Sequence, residues 1–558
     1  MWTFPELEYK RYEVDAFLAD ANAALDRFEA AKTADEAYAA YQALSKCDEH
    51  LGTVCTISHI RHDVNTKDAY YDAENDYWDE NLSRVVTVQE RTLKALVNHP
   101  CRKELEPKIG KIVFQKAEAQ IVLADPRLIP DMTEEAKLES RYSKLTAGCT
   151  CDYRGESCNF YGLLKFMQDP DRAVRKGAFE AWATMYASIA DELDDIYDQL
   201  IAVRCKMAKT IGMSSYIEMA YLSRERYDYT KADVERFRAG VRKYIVPLCA
   251  KLCEKQRARI GVDKLRYYDE SLAYPNGNPI PNGTEAEMVA WAQEMYRELS
   301  PETGEFFDFM VEHKLFDLTS RPGKHMGGYC TDLPDYKAPF IFSNFNGTSA
   351  DVDVLTHEAG HAFQAYLGAR TLPSMELVQA NIEICEVHSM SMEHFTYPWM
   401  EKFFGDDAPR YREAHLTSAM CVIPYLTMVD DFQHRVFEKP DMTREERYGV
   451  WHELEQMYLP WRDYDGNAFL EKGGFWMQKQ HIFLYPFYYI DYALAQMGAF
   501  DFYLRMRSNR TEAWDSYIKL CKAGGSKGYF ELLQVGGLRN PFDENTVRDI
   551  AAAIEQLL

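Results

Sequence analysis

Thr356-His357-Glu358-Ala359-Gly360-His361-Ala362-Phe363 carries two histidines four positions apart, with a glutamate directly after the first. On a helix of about 3.6 residues per turn the two imidazoles stand one above the other on one face, able to grip a single metal ion such as zinc. Glu358 then leans to the side, where it can reach a water rather than the metal itself, the position required of a general base in metal-assisted hydrolysis. Flanking residues favour the helix. Asn346-Gly347-Thr348-Ser349 provides a turn and a capping hydroxyl, Asp351 and Asp353 put anions in the first turn, and Val354, Leu355, Ala362, Ala365 and Tyr366 supply apolar faces. A buried helix from Ser349 to Gly368, stopped by that glycine, is predicted. The competing expectation is a pair of histidines satisfied within a core helix, with Glu358 in an ion pair.

Hydrolytic zinc takes three protein ligands and keeps one position open. In one large class the third ligand is a histidine following a glycine, but Gln364 and Leu367 hold those places here. The next segment, Glu376 to Glu393, reads as a helix rich in Ile, Val and Met, on which Glu383, Glu386 and Glu393 lie near one stripe. Burying such carboxylates is costly unless a cation or hydrogen-bond donors meet them. Residue types and spacing leave all three open as the third ligand.

With these residues in view, the chain resembles the thimet oligopeptidase and oligoendopeptidase F group of zinc peptidases. Their two-histidine helix is followed, about twenty-five residues after its second histidine, by a glutamate ligand in a segment like Glu-x-x-Ser-x-x-x-Glu, which Glu386, Ser389 and Glu393 match. The likeness extends upstream through Gly327-Gly328-Tyr329-Cys330 and Phe340 to Thr348, and downstream through His481 to Tyr492. Chain length and helical character suit the bacterial oligoendopeptidase F branch. The resemblance implies one zinc ion per chain on His357, His361 and Glu386, with Glu358 as the base. It also implies a mostly α fold of two helical lobes around a deep substrate channel, with a small β-sheet beside the zinc helix, that admits short unstructured peptides and excludes folded proteins. Glu383, Ser389 and Glu393 are candidates to orient the imidazoles.

Peptide hydrolysis of this kind builds an oxyanion, which tyrosine and histidine donors can stabilise. Tyr485, Tyr488, Tyr489 and Tyr492 bring several hydroxyls into a short stretch after His481. The resemblance selects His481, Tyr489 and Tyr492 as such donors. One residue fewer separates His481 from Tyr485 than in thimet oligopeptidase, which leaves Tyr485 unassigned, and Tyr488 is expected in the core. An exopeptidase with the same metal set and a non-catalytic peptide-binding protein are the alternatives to an endopeptidase.

The chain has 558 residues and a formal net charge of -24, from 64 basic and 88 acidic side chains. Such a surface repels nucleic acid and anionic membranes. No apolar run approaches the ~20 residues needed to cross a bilayer. Thirteen cysteines at irregular spacing, and a start at Met1-Trp2-Thr3-Phe4 without a basic and apolar leader, point to reduced thiols in a cytoplasm.

Helical periodicity runs from Tyr12 to about Pro100. Leu145 to Cys158 is expected as a short extended hairpin whose three cysteines are free thiols rather than a second zinc site. Asp169-Pro170-Asp171-Arg172 opens a long helix towards Ile201, and a lobe boundary is expected near residue 160, dividing 1–160 from 161–558. Thr284-Glu285-Ala286-Glu287 is a capping box after the loop from Tyr274 to Gly283. Between Gly327 and Phe345 the period shortens to that of strands, and Phe340 and Phe342 are expected on a short edge strand leading to the metal helix.

Overall fold

The computed structural model describes residues 2–558. The chain is mostly helical, with two small sheets, and divides into two compact units. Each is assembled from three stretches of sequence. The first comprises Met1–Ala124, Pro279–Pro409 and Gly498–Arg539; the second comprises Asp125–Asn278, Arg410–Met497 and Asn540–Leu558. Residue 160, where a lobe boundary is expected from chain order, lies inside the second unit. Packing in space groups segments that are remote in sequence, which no linker composition signals.

In the first unit the helical stretch after Tyr12 forms three helices, Val14–Ala30, Ala34–Val64 and Ala69–Asn98. Their apolar faces meet in a core that includes Phe17, Leu25, Leu44, Leu51, Trp78, Val85 and Val88. Thr33 and Glu36 open the second helix with a capping box, and the expected box of Thr284 and Glu287 opens Glu285–Leu299 in the same way.

Beside these helices lies a three-stranded sheet. Ala338–Phe345 is its central strand, parallel to Phe316–Thr319 on one side and antiparallel to Tyr329–Leu333 on the other. The expected edge strand through Phe340 and Phe342 is therefore a middle one, and its residues 338–343 are buried without alternation because both faces are covered. Tyr329–Leu333 is an edge instead.

The central strand leads into the two-histidine helix, Ala350–Thr371. This helix outruns its expected stop at Gly368, since that glycine is an internal contact point against Val378 and Gln364, and the helix ends just before Leu372-Pro373. Its start also differs. Ser349 makes no side-chain cap; the Asp351 carboxylate instead accepts hydrogen bonds from the backbone N–H groups of Asn346 and Gly347, at 2.9 and 2.8 Å. The segment expected as one helix from Glu376 is a short turn, Met375–Leu377, and then the glutamate helix, Ile382–Phe395. Between them the backbone is held open by Gly525, whose N–H donates to Leu377 O at 2.8 Å. Behind both site helices Phe363 stacks on Trp514 and Tyr517, and the Tyr517 hydroxyl donates to His388 O at 2.8 Å.

In the second unit the expected hairpin narrows to Cys151–Tyr153 and Glu156–Cys158, with Arg154 and Gly155 both left-handed in its two-residue turn. Leu145 to Gly148 finish the preceding helix. The long helix from Arg172 breaks at Ile189 into Arg172–Ser188 and Ala190–Thr210. Trp182, Trp451 and Trp476 are fully buried in this unit, as is Arg175, which pairs with Asp269 at 2.7 Å.

Candidate metal centre and tyrosine cluster

Two adjacent helices bring the first group of predicted residues together in the first unit. Helical spacing puts His357 and His361 on one face, their ring centroids 4.9 Å apart. Gly360, between them, sits where a Cβ would fall 2.7 Å from Ser389 Cα, so the glutamate helix passes at backbone contact. That close passage delivers Glu386, whose Oε2 lies 3.2 Å from His357 Nε2 and 3.6 Å from His361 Nε2. The three ligand atoms all fall within 4.8 Å of one another, and among the described residues no other set of three histidine, cysteine or acidic side chains does so.

The donor set fits zinc. Two imidazole nitrogens and one carboxylate oxygen are its usual hydrolytic ligands, and bonds of about 2.0–2.1 Å in a tetrahedron put neighbouring ligand atoms roughly 3.3–3.4 Å apart. The spacings of 3.2 and 3.6 Å bracket that value. The remaining three carboxylate and hydroxyl candidates divide plainly. Glu393 accepts from His357 Nδ1 at 2.6 Å, which fixes the ring so that Nε2 faces Glu386. Ser389 donates to Glu386 Oε2 at 2.9 Å. Glu383 turns away to Asn381, at 2.7 Å.

Charge follows from this packing. Burial pushes the Glu386 carboxyl up, but hydrogen bonds from His357 and His361 outweigh it and hold the group well below the usual carboxylate range. For His357, burial lowers the imidazole while Glu386 and Glu393 raise it, and the carboxylates prevail. Glu358 is raised, chiefly by burial, with the two histidines opposing. Asp332, on the edge strand, is half-buried, and the loss of solvent there pushes its carboxyl up to about 6, eased by His361. Sequence reading overlooked Asp332. Its one signal is that it lies two residues beyond Cys330 on the strand, and Cys330 feels both Asp332 and Glu358.

His481, Tyr489 and Tyr492 belong to the second unit, where they form a cluster of their own. The stretch is not one helix. A short helix, Gln480–Leu484, is followed by a turn, and Tyr489–Ser508 begins after it. The His481 ring lies 4.4 Å from that of Tyr489 and parallel to that of Tyr488, at 5.7 Å and 4°. Tyr488, expected in the core, is partly exposed and shares a 2.7 Å hydrogen bond between its hydroxyl and that of Tyr492. The turn lifts it out of the apolar face that unbroken helical spacing would give it. Tyr485 is 49 % exposed. Burial, with Lys479 and Arg224 nearby, pushes His481 down to about 4, so its imidazole is neutral at pH 7. Burial and Arg462 bring Lys479 down to about 7.

A helical chain with a His-Glu-x-x-His helix, and a glutamate from the next helix closing a zinc-sized triangle, has the make-up of a metallopeptidase. Comparison with known proteins agrees. Residues 165–279 and 292–552 match peptidase family M3, and residues 4–124 match the peptidase M3 N-terminal domain. The chain belongs to peptidase family M3 and is a metallopeptidase. Among solved structures it is similar to PZ peptidase A with inhibitor 2, at 44 % identity and a TM-score of 0.91, covering 100 % of this chain and 99 % of that one. Oligopeptidase PepF of Bacillus subtilis is 22 % identical over 91 % of this chain and 78 % of its own length. The oligoendopeptidase F homolog of Borreliella burgdorferi is 22 % identical over 85 % and 81 %.

Proposed function

We propose that the chain cuts internal bonds of short, unstructured peptides, with one zinc ion held by His357, His361 and Glu386. The observation that carries this reading is the pair of 3.2 and 3.6 Å spacings from Glu386 Oε2 to the two imidazoles. When bound, zinc supplies Lewis acidity towards a peptide carbonyl and a water molecule. Glu358 takes a proton from the attacking water at its carboxylate and later passes it to the departing amine. Its burial beside Cys330 suits both steps, because a raised carboxyl pKa brings the two protonation states closer at neutral pH. Glu393 keeps His357 in one tautomer and one orientation. Tyr492 and Tyr489, with neutral His481, donate hydrogen bonds to the carbonyl oxygen as it gains charge.

Free thiols at all thirteen cysteines support a reducing, cytoplasmic setting, and the net charge of -24 argues against nucleic acid as a partner. No helix among the described residues is long and apolar enough to cross a membrane. The test is digestion of peptides blocked at both ends. Internal cleavage that Glu358→Gln abolishes, with zinc content unchanged, is the expected result. Blocked peptides that resist while their free-ended forms lose terminal residues would replace the endopeptidase with an exopeptidase.

A further inference from the structure

The segment that carries the tyrosines is gripped through its backbone by arginines. Arg204, on Ala190–Thr210, donates to Phe483 O. Arg224 donates from Nε to Pro486 O at 3.2 Å and lies 5.0 Å from the centre of the Tyr488 ring. Arg226 donates from Nη2 to Phe487 O and, at 2.6 Å, to Asp491 Oδ1. The side chains of Arg226 and Asp491 are 0 % and 1 % exposed. Between them Phe487 is left-handed, with φ 62°, a conformation that bulky side chains rarely adopt. Its backbone is bound on both sides, because its N–H donates to the buried Gln433 Oε1 at 2.8 Å.

An apolar pair of the same volume would hold a core together as well as a buried ion pair does. A guanidinium adds donors in fixed directions, able to bind a carbonyl and a carboxylate at once. Here those directions select one conformation of the turn immediately before Tyr488 and Tyr489, and Asp491 ties the same arginine to the first turn of the helix that carries Tyr492.

We propose that Arg226, acting through Phe487 O and Asp491, is a positioning residue for peptide hydrolysis, assisted by Arg224 through Pro486 O and the Tyr488 ring. The two guanidiniums hold the left-handed turn at Phe487 and so set where the hydroxyls of Tyr488, Tyr489 and Tyr492 stand. This inference rests on the proposed role of Tyr489 and Tyr492 as donors. Such donors must reach 2.7–3.1 Å from the developing oxyanion, and a misplacement of about 1 Å costs about 10²-fold in rate. Ground-state binding of the peptide does not need that alignment, so kcat falls and KM holds.

The test compares Arg226→Lys, Arg224→Ala and the paired variant Arg226→Met with Asp491→Leu, which removes both buried charges together, against Tyr492→Phe. Turnover of an internally quenched peptide, zinc content and amide hydrogen exchange are measured on the zinc-loaded chain. Arg226→Lys and the paired variant are expected to lose about 10²-fold in kcat, and Arg224→Ala about tenfold, with KM within about threefold and zinc at the parental level. Amide exchange is expected to quicken across residues 484–490 and nowhere else. A fold that depends on Arg226 as a general prop would instead lose protection throughout the unit. Should Arg226→Lys fail to fold, the paired variant and Arg224→Ala decide. Parental kcat in these variants while Tyr492→Phe is impaired overturns the arginine proposal and leaves the tyrosine role standing. Parental kcat in Tyr492→Phe as well overturns both.

Discussion

Substituting Gly360 with alanine tests how the candidate metal site is spaced. The added Cβ falls 2.7 Å from Ser389 Cα, 2.9 Å from His388 O and 3.0 Å from Met392 Cβ. Two of these are backbone atoms of the glutamate helix, so no side-chain rotation relieves the overlap. Restoring ordinary contact, which begins at 3.4 Å, moves the two helices apart by about 0.7 Å. Glu386 rides on the moving helix one turn before Ser389, and metal–ligand distances tolerate about 0.2 Å. Overpacking of this kind costs about 1–3 kcal/mol, offset by about 1 kcal/mol from replacing glycine within a helix. Thermal stability of the metal-free chain should therefore fall by about 0–2 kcal/mol. Zinc affinity should fall about 10–100-fold, the range seen when ligand orientation is disturbed. Competition with a chromophoric chelator measures the affinity, and thermal scans with and without zinc measure the stability. A Gly360→Ala chain with parental zinc affinity and parental kcat/KM would refute the argument that this contact sets the ligand triangle.

Glu393→Gln should weaken zinc binding about 10–100-fold through the loss of the charged acceptor at His357 Nδ1, read by the same chelator competition, while leaving the helix intact. Glu455 is buried and pushed up to about 7 by burial, against a hydrogen bond from Tyr464 that lowers it. A carboxyl raised in the folded state adds stability below its unfolded pKa of about 4.5, and that stability is lost as pH rises through 7. Glu455→Gln should consequently gain thermal stability relative to the parent at pH 8 but not at pH 4, by about 3 kcal/mol at most, and equal shifts at both pH values would contradict the burial argument. Arg175→Met removes one of the two guanidiniums on buried Asp269 while Arg172 keeps its hold at 2.8 Å, and should cost about 1.5–3 kcal/mol in chemical denaturation, whereas Asp269→Leu, which takes the shared carboxylate from both arginines, should cost more.

Much of the metal site was legible because it rests on local periodicity. Four-residue spacing places His357 and His361 together on any helix, and the same period carries Glu386 and Glu393 to one side of the next. Features fixed by remote contacts were not legible. Nothing in Val378-Gln379-Ala380-Asn381 breaks a helix by itself; the break comes from Gly524 and Gly525, which press on the backbone of Val378 and Gln379 from nearly 150 residues away. Phe340 and Phe342 look the same on an edge as in the middle of a sheet, and only the parallel strand Phe316–Thr319 decides between the two. The turn at Phe487 carries no glycine or asparagine to announce a left-handed residue. Arginines more than 250 positions upstream impose it, and with it the release of Tyr488 from the core.

The threefold segmentation of each unit shapes how the protein is made. Residues up to Ala124 leave the ribosome first, yet Phe4 awaits Phe340, Tyr41 awaits Glu376, and the unit they share closes only with Arg539. At about 5–20 residues per second, the roughly 400 residues in between take about 20–80 s to synthesise. One core needs nothing made later: that of the first three helices around Phe17, Leu44 and Trp78 draws all its residues from the first 100. Slowing translation after residue 124 should therefore cost this protein little, whereas opening that early core should lower its yield well before it lowers the activity of the molecules that finish folding.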